Sequence, residues 1–451
     1  MPHSGEAVSL KQAFWYWLKL GFISFGGPAG QISMMHQELV DKRRWISERR
    51  FLHALNYCMV LPGPEAQQLA TYIGWLMHGV RGGIVAGGLF VLPSLLLLML
   101  LSWIYLAFGH LTLVAGILYG IKPAVTAIVL LAAWRIGSRA LKHWFLWGIA
   151  GLSFLAIAVF NVPFPAILLG AALLGWLGLR WLPQVFRAPP PPAAAATAVV
   201  DAVLGDHSPV PLHARFSRRR TLVTLALGVG LWWLAMGVLW WVFGPQHDVS
   251  LMAWFFTKAA LLTFGGAYAV LPYVVQGGVE HYGWLTATQM MDGLALGETT
   301  PGPLIMVVAF VGFVGGWSKA VLGPEFLLAG GVVAASVVTF FTFLPSFLFI
   351  LLGGPLVEAS RNQLRLTAPL TGITAAVVGV ILNLALFFGE HVLFPNGWAK
   401  GALLGLDVAS LVWGCLCVVL LYRMQWSILR VIGLSAAAGF GYTVLAPAIG
   451  L

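Results

Sequence analysis

Phe25-Gly26-Gly27 recurs as Phe264-Gly265-Gly266, and Pro62-Gly63-Pro64 recurs as Pro301-Gly302-Pro303. Both recurrences have one offset (264 − 25 = 301 − 62 = 239), and Lys19/Lys258 and Trp45/Trp284 keep it too. Farther on, Leu92-Pro93-Ser94 matches Leu344-Pro345-Ser346 and Gly120-Ile121 matches Gly372-Ile373, both at 252. A single insertion of 13 residues (252 − 239) therefore aligns two halves of the chain. In a membrane protein, internal duplication is the architecture of many transporters.

Composition supplies the membrane. Hydrophobic residues make up 60% of the chain and charged residues 9%, against roughly a quarter charged in a soluble domain. Mean hydropathy is +0.90. Apolar runs near the ~20 residues needed to cross a bilayer cover 83–105, 111–134, 144–160, 221–243, 326–352 and 402–422. The expected fold class is an all-α polytopic membrane protein. Short alternating segments, the mark of a β-barrel, are missing. Residues 1–12 do not read as a cleavable signal peptide. Cys58, Cys415 and Cys417 form no disulfide framework, and no metal ligand set surrounds them. The formal charge of +10 reads as cytoplasmic loop charge rather than a nucleic-acid surface.

Residues 183–220 form the long polar stretch of the chain, with Pro189 to Pro192, an Ala run and Arg218-Arg219-Arg220. It reads as a cytoplasmic linker between a first repeat at 1–182 and a second part at 221–451. That second part opens with an extra span, 221–243, before its repeat begins. One extra crossing reverses everything after it. Loop charges agree: residues 36–50 carry Lys42, Arg43, Arg44, Arg49 and Arg50, whereas the image, 276–289, carries no Lys or Arg. With Arg135, Arg139 and Lys142 also basic, first-half loops are expected in the cytoplasm and their images outside, so the halves are expected to be inverted. Keeping the basic loops on one side requires 51–61 and 65–77 to enter and return around Pro62-Gly63-Pro64. The first segment, broken at Phe25-Gly26-Gly27, is expected to do the same.

Pro and Gly interrupt a helix by removing an amide donor and permitting unusual dihedrals. The amides exposed at the new N-terminus attract anions. Matching breaks in two halves point to a transporter's substrate site. The expected site is therefore built from Phe25, Gly26, Gly27, Pro62, Gly63, Pro64, Phe264, Gly265, Gly266, Thr300, Pro301, Gly302 and Pro303, with Gln31 as a neutral donor. Lys19, Lys258 and Lys122 would neutralise an anionic substrate. Glu65 and Glu298 are candidates for proton coupling, since a carboxyl at such depth can take up and release a proton. Glu298-Thr299-Thr300 also reads as a cap for the helix that follows. Asp292 is the image of His53, and Asp407 lies in a late apolar span.

The series Phe25-Gly26-Gly27-Pro28-Ala29-Gly30-Gln31-Ile32, Leu61-Pro62-Gly63-Pro64-Glu65-Ala66, Thr300-Pro301-Gly302-Pro303 and Gly372-Ile373-Thr374-Ala375-Ala376-Val377-Val378-Gly379 resembles the long, two-domain chromate ion transporter family. The resemblance covers most of both halves outside the linker. It implies a bacterial or archaeal inner-membrane protein that exports chromate, confers chromate resistance and uses the proton gradient, with sulfate as competitor. One departure stands out: Ala267-Tyr268 follows the second Phe-Gly-Gly where Pro28 follows the first. Without the resemblance, the residues reach a secondary transporter for an anion and leave a sulfate or oxyanion permease, or a passive channel, as alternatives. No nucleotide-binding Gly-rich Lys motif is present. The histidines are scattered, so neither an enzyme nor a cofactor is implied. The partners expected are the oxyanion and the lipid bilayer, with no nucleic acid, and the architecture is compatible with a homodimer. Transport is expected to rock one half against the other.

Overall fold

The computed structural model describes residues 8–25, 27–109, 111–186, 202–206, 208–209, 211–359, 367–395 and 405–449. Among them the chain is almost wholly helical. Two re-entrant helix pairs open the first half. Helix α1 (Leu10–Ile23) begins at a Ser9/Gln12 capping box, stops at Ser24 and gives way to α2 (Gly27–His36), which ends in a π-helical turn at Gln37–Lys42. Helix α3 (Glu48–Cys58), capped by Ser47, runs to the Pro-Gly-Pro break, where α4 (Glu65–Phe108) starts. Helix α4 reverses at His78 (φ −131°) and Gly79 (φ +66°). Its second arm then returns along the first, so that Gly74 lies against Gly82 and Ala86. Helices α5 (Thr112–Ala140), α6 (Trp144–Ala158), α7 (Phe164–Trp181) and the single turn α8 (Pro183–Phe186) complete this half.

After α9 (Arg218–Phe243), the sequence of elements repeats. Helix α10 (Asp248–Leu262) matches α1, and α11 (Ala267–Val275) with a second π-helical turn at Gln276–His281 matches α2. Helix α12 (Ala287–Thr299) is capped by Thr286, the image of Ser47. A 3-10 turn at Leu304–Met306 and α13 (Val307–Ser318) match the first arm of α4, and α14 (Leu327–Ala359) matches its second arm. The 13-residue insertion falls at this reversal, turning the tight bend at His78-Gly79 into the longer connection between α13 and α14. Helices α15 (Thr367–Leu393), α16 (Val408–Tyr422) and α17 (Ile428–Ile449) match α5 to α7. Among the described residues, six helices are long and apolar enough to cross a membrane.

Hydrogen bonds show which ends share a face. His78 Nε2 lies 2.7 Å from the Val8 carbonyl, Ser47 Oγ donates to Asp206 at 2.6 Å, and His213 Nε2 lies 2.9 Å from the Trp75 carbonyl. The starts of α1 and α3, the reversal of α4 and the end of the linker therefore lie together on one face, called here the linker face. Both first-half helix pairs enter from that face and return to it, as the charge argument required. Helix α9 then carries the chain about 39 Å at 1.5 Å per residue. At its far end Trp284 Nε1 donates to Asp248 at 2.8 Å, which joins the starts of α10 and α12.

Packing does not follow the halves. The re-entrant helices of both halves form one unit through contact of α4 with α14, where Gly87 of the second arm meets Phe347 and Trp75 of the first arm meets Gly354. Helices α5 to α7 and α15 to α17 form a second, the scaffold. Small residues let its backbones approach: Gly120 meets Gly439, and its repeat image Gly372 meets Gly175. The Gly-Ile repeat is thus a packing motif. Motion of half against half would tear both units, so the seam available for movement runs between the re-entrant unit and the scaffold. The Pro/Ala tract of the linker, at 187–201, lies outside the described residues.

Candidate functional site

The helix breaks of the two halves meet. The Gly302 N–H donates to the Ser24 carbonyl at 2.9 Å, and the Gly63 N–H donates to the Thr263 carbonyl at 2.7 Å. Ser24 and Thr263 are repeat images, as are Gly63 and Gly302, so the two bonds are one interaction used twice. Ser24 and Thr263 follow the last turns of α1 and α10, whose terminal carbonyls lack helical partners. The Pro-Gly-Pro amides supply donors to them. In this conformation the Gly63 and Gly302 amides are therefore already occupied, and the anion-binding role read for them from sequence falls to neighbouring groups.

Those neighbours are side chains. Gln31 Nε2 donates to the Ser24 carbonyl at 3.1 Å and the Gly302 carbonyl at 2.6 Å, and Gln68 Nε2 donates to the Pro62 carbonyl at 2.8 Å. Ser94 sits against Gly302 and Ser346 against Gly63. Each serine belongs to the half opposite its glycine. The Ser24, Ser94 and Ser346 hydroxyls, with Oε1 of Gln31, Gln67 and Gln68, are buried without hydrogen-bond partners among the described residues. Buried polar groups are normally satisfied, so this collection at two helix breaks marks a place for a polar guest. The Leu-Pro-Ser repeat was visible in sequence, but its role was not, because its partners come from the other half.

The remaining expected residues divide. Thr300, Pro301 and Pro303 are buried at the second break, Pro64 is buried at the first, and Pro62 is half-buried beside it. Phe25 and Phe264 are half-buried; Gly27 (φ +70°), Gly265 (φ +80°) and Gly266 (φ +98°) make the turns. Gly26 lies outside the described residues. Glu298, 9% exposed, accepts a hydrogen bond from Tyr268. Glu298-Thr299-Thr300 does not cap the next helix: Thr300 Oγ1 turns back to the Gly297 carbonyl at 3.0 Å. Glu65 is half-buried at the start of α4. Lys19 is exposed on α1 beside Trp15 and Phe22, five residues before Ser24 (24 − 19 = 5). Lys258 is half-buried with Nζ 5.9 Å from the Trp254 ring centre. Asp407 is the N-cap of α16, accepting from the Ser410 amide at 3.0 Å.

Helix α5 of the scaffold faces α12. Lys122 is half-buried on α5, and Asp292 on α12 is 2% exposed and accepts from Tyr105 at 3.0 Å while its Oδ1 has no partner among the described residues. Asp292 belongs to this seam, which sequence reading left as an image residue; Arg135, farther along α5, is exposed.

The seam is asymmetric. Helices α11 and α12 pack against α15, α5 and α17, whereas α2 and α3 pack chiefly on α4. Leu52 is 44% exposed and its image Met291 1%; Met59 is 54% exposed and its image Glu298 9%. Helix α3 thus leaves uncovered the face that α12 buries.

Paired helix breaks meeting in the interior, buried hydroxyls around them and the buried carboxyl groups of Asp292 and Glu298 on α12 define a polytopic helical membrane transporter. A family model described as chromate transporter matches residues 11–176 and 250–440. The chain belongs to the chromate transporter family. The chromate transport protein of Pseudomonas aeruginosa is 36% identical over 378 residues, covering 83% of this chain and 80% of that protein. That of Cupriavidus metallidurans is 29% identical, covering 86% and 85%. An uncharacterized transporter of Bacillus subtilis, YwrA, is 29% identical over 164 residues, 92% of its own length but 36% of this chain. No solved structure matches.

Proposed function

We propose that this protein exports chromate across the inner membrane by secondary transport coupled to the proton gradient, and so confers chromate resistance. The observation that carries the reading is the interior meeting of the two helix breaks, bordered by the buried hydroxyls of Ser24, Ser94 and Ser346. Hydroxyl donors suit a tetrahedral oxyanion, and hydrogen bonds to a charged acceptor are about twice as strong as neutral ones. Sulfate, an isosteric dianion, competes for the same donors. Lys122 balances charge from the scaffold side, and Glu298 with Tyr268 and Glu65 carry the coupling proton.

The two repeats have inverted topology, with the linker face cytoplasmic. The uncovered faces of α2 and α3 then belong to a state open to the cytoplasm. The outward-open state exchanges the roles of the repeats: α2 and α3 pack on the scaffold while α11 and α12 are exposed. Opening at one end and closing at the other is the alternating access required of a carrier.

The test is chromate flux in proteoliposomes with an imposed pH gradient, with and without excess sulfate. Flux that follows the gradient and falls with sulfate is the expected result. Flux indifferent to the gradient would refute proton coupling and favour a passive pathway. No chromate flux would remove the substrate assignment.

A further inference from the structure

A cavity of about 360 Å³ lies on the linker face, away from the helix breaks. Its walls are the first turns of α9, the reversal of α4, the last part of α14 and the end of the linker. Arg215, Arg220 and His213 contribute to its lining with Thr221 and Thr224, and among the described residues no acidic side chain does. The floor is apolar, formed by Trp75, Leu351 and Pro355.

This cavity is held in shape. The linker is fixed to the loop before α3 by a bridge between Ile46 and Leu204, and to the first turn of α3 by Arg50 Nη2 donating to the Ser208 carbonyl at 2.9 Å. His213 Nε2 contacts the Trp75 carbonyl, and Arg220 Nη1 donates to the Leu212 carbonyl at 2.6 Å. Ala214 is fully buried. Arg215 is exposed, with no such backbone bond and no acidic partner among the described residues.

The surroundings of the opening identify the ligand. Val80, Leu212 and Leu222 are exposed there, and α9 continues as an apolar, largely exposed helix through Leu225 and Leu227. A soluble anion would use the arginines and gain nothing from this apolar approach. An amphiphile uses both. Basic groups at the end of a lipid-facing helix attract anionic headgroups, each worth about 1 kcal/mol near the membrane surface.

We infer that this cavity binds the phosphate headgroup of an anionic phospholipid between Arg215, Arg220 and the threonines of α9, with the acyl chains lying along α9. This site is separate from the transport pathway and does not depend on the identity of the transported ion. A bound lipid would tie the linker, α9 and α14 together at the cytoplasmic ends of the re-entrant unit.

The test is native mass spectrometry of the full-length protein from nanodiscs of equal phosphatidylglycerol and phosphatidylcholine. Preferential retention of phosphatidylglycerol is expected, falling about fivefold in Arg215→Gln and about thirtyfold in the Arg215→Gln/Arg220→Gln double variant. Arg215→Lys should restore most of it. Arg215→Gln keeps the Arg220 backbone bond, so its result reads binding rather than loss of the loop. Equal retention of both lipids, or retention unchanged in Arg215→Gln, would overturn the inference. Thermal stabilisation by inorganic phosphate equal to that by phosphatidylglycerol would overturn the lipid assignment in favour of a soluble anion.

Discussion

Replacing Gly302 with alanine tests whether the second helix break presses against the opposite half. Gly302 has φ +104°, and a Cβ there would lie 2.7 Å from Ser94 Cβ and 3.1 Å from its Oγ. Two costs follow: a conformational one of about 1–3 kcal/mol for a non-glycine residue in that region, and an overpacking one of about 1–3 kcal/mol. Gly266 separates them. Its φ is +98°, yet a Cβ there would meet nothing within 4 Å, so Gly266→Ala carries only the conformational cost. Gly302→Ala should therefore be the more destabilising by about 1–3 kcal/mol. Ser94→Gly removes the opposing Cβ, at about 1 kcal/mol for glycine within a helix. The double variant Gly302→Ala/Ser94→Gly should be more stable than the sum of the single effects by about 1–3 kcal/mol, well beyond the ~0.5 kcal/mol scatter of independent sites. Equilibrium unfolding in detergent gives the cycle, and chromate flux shows whether function follows. Additive effects, or Gly302→Ala no worse than Gly266→Ala, would refute the contact between the break and α4.

Three more expectations can be measured. Ser94→Ala and Ser346→Ala should each raise the KM for chromate roughly tenfold, the worth of one hydrogen bond to a charged acceptor, with expression unchanged; a fall in Vmax alone would argue against direct contact. Asn56 is exposed on α3 and its image Ala295 is 2% exposed. Asn56→Cys should therefore react with an impermeant thiol reagent from the cytoplasmic side while Ala295→Cys is protected, in a background lacking the native cysteines; equal labelling would count against the cytoplasm-open assignment. On the linker face, the Arg43 guanidinium hydrogen-bonded to Glu38 at 2.8 Å holds that carboxyl below the usual glutamate range. Its stabilisation is present above the ordinary glutamate pKa and lost as pH falls through the lowered value. Glu38→Gln should cost up to about 1 kcal/mol at neutral pH, as for a partly exposed pair, and nothing once wild-type Glu38 is protonated; a cost that persists in acid would point to packing instead.

The breaks themselves were readable from the chain, because glycine and proline act through their own backbones. Phe25-Gly26-Gly27 and Pro62-Gly63-Pro64 interrupt helices wherever they are buried, and their return at 239 announced a second set. The membrane class followed from composition, and the return of α3 and α4 to the face they started from followed from loop charge. The side-chain lining was less legible. Lys19 and Lys258 share a register, but register says nothing about burial: Lys19 is exposed and Lys258 half-buried.

What depended on tertiary structure were relations between distant residues. The sequence by itself determined that there are two repeats, that each is broken twice and that apolar helices surround them, since these are properties of local composition and spacing. Only the packed chain decided that Gly63 donates to Thr263 and Gly302 to Ser24, so that the amides expected to be open are occupied and serines of the opposite half stand beside them. It also decided that α12 closes on the scaffold while α3 does not. That asymmetry rests on packing between helices far apart in sequence, α12 against α5, α15 and α17, which no local pattern encodes.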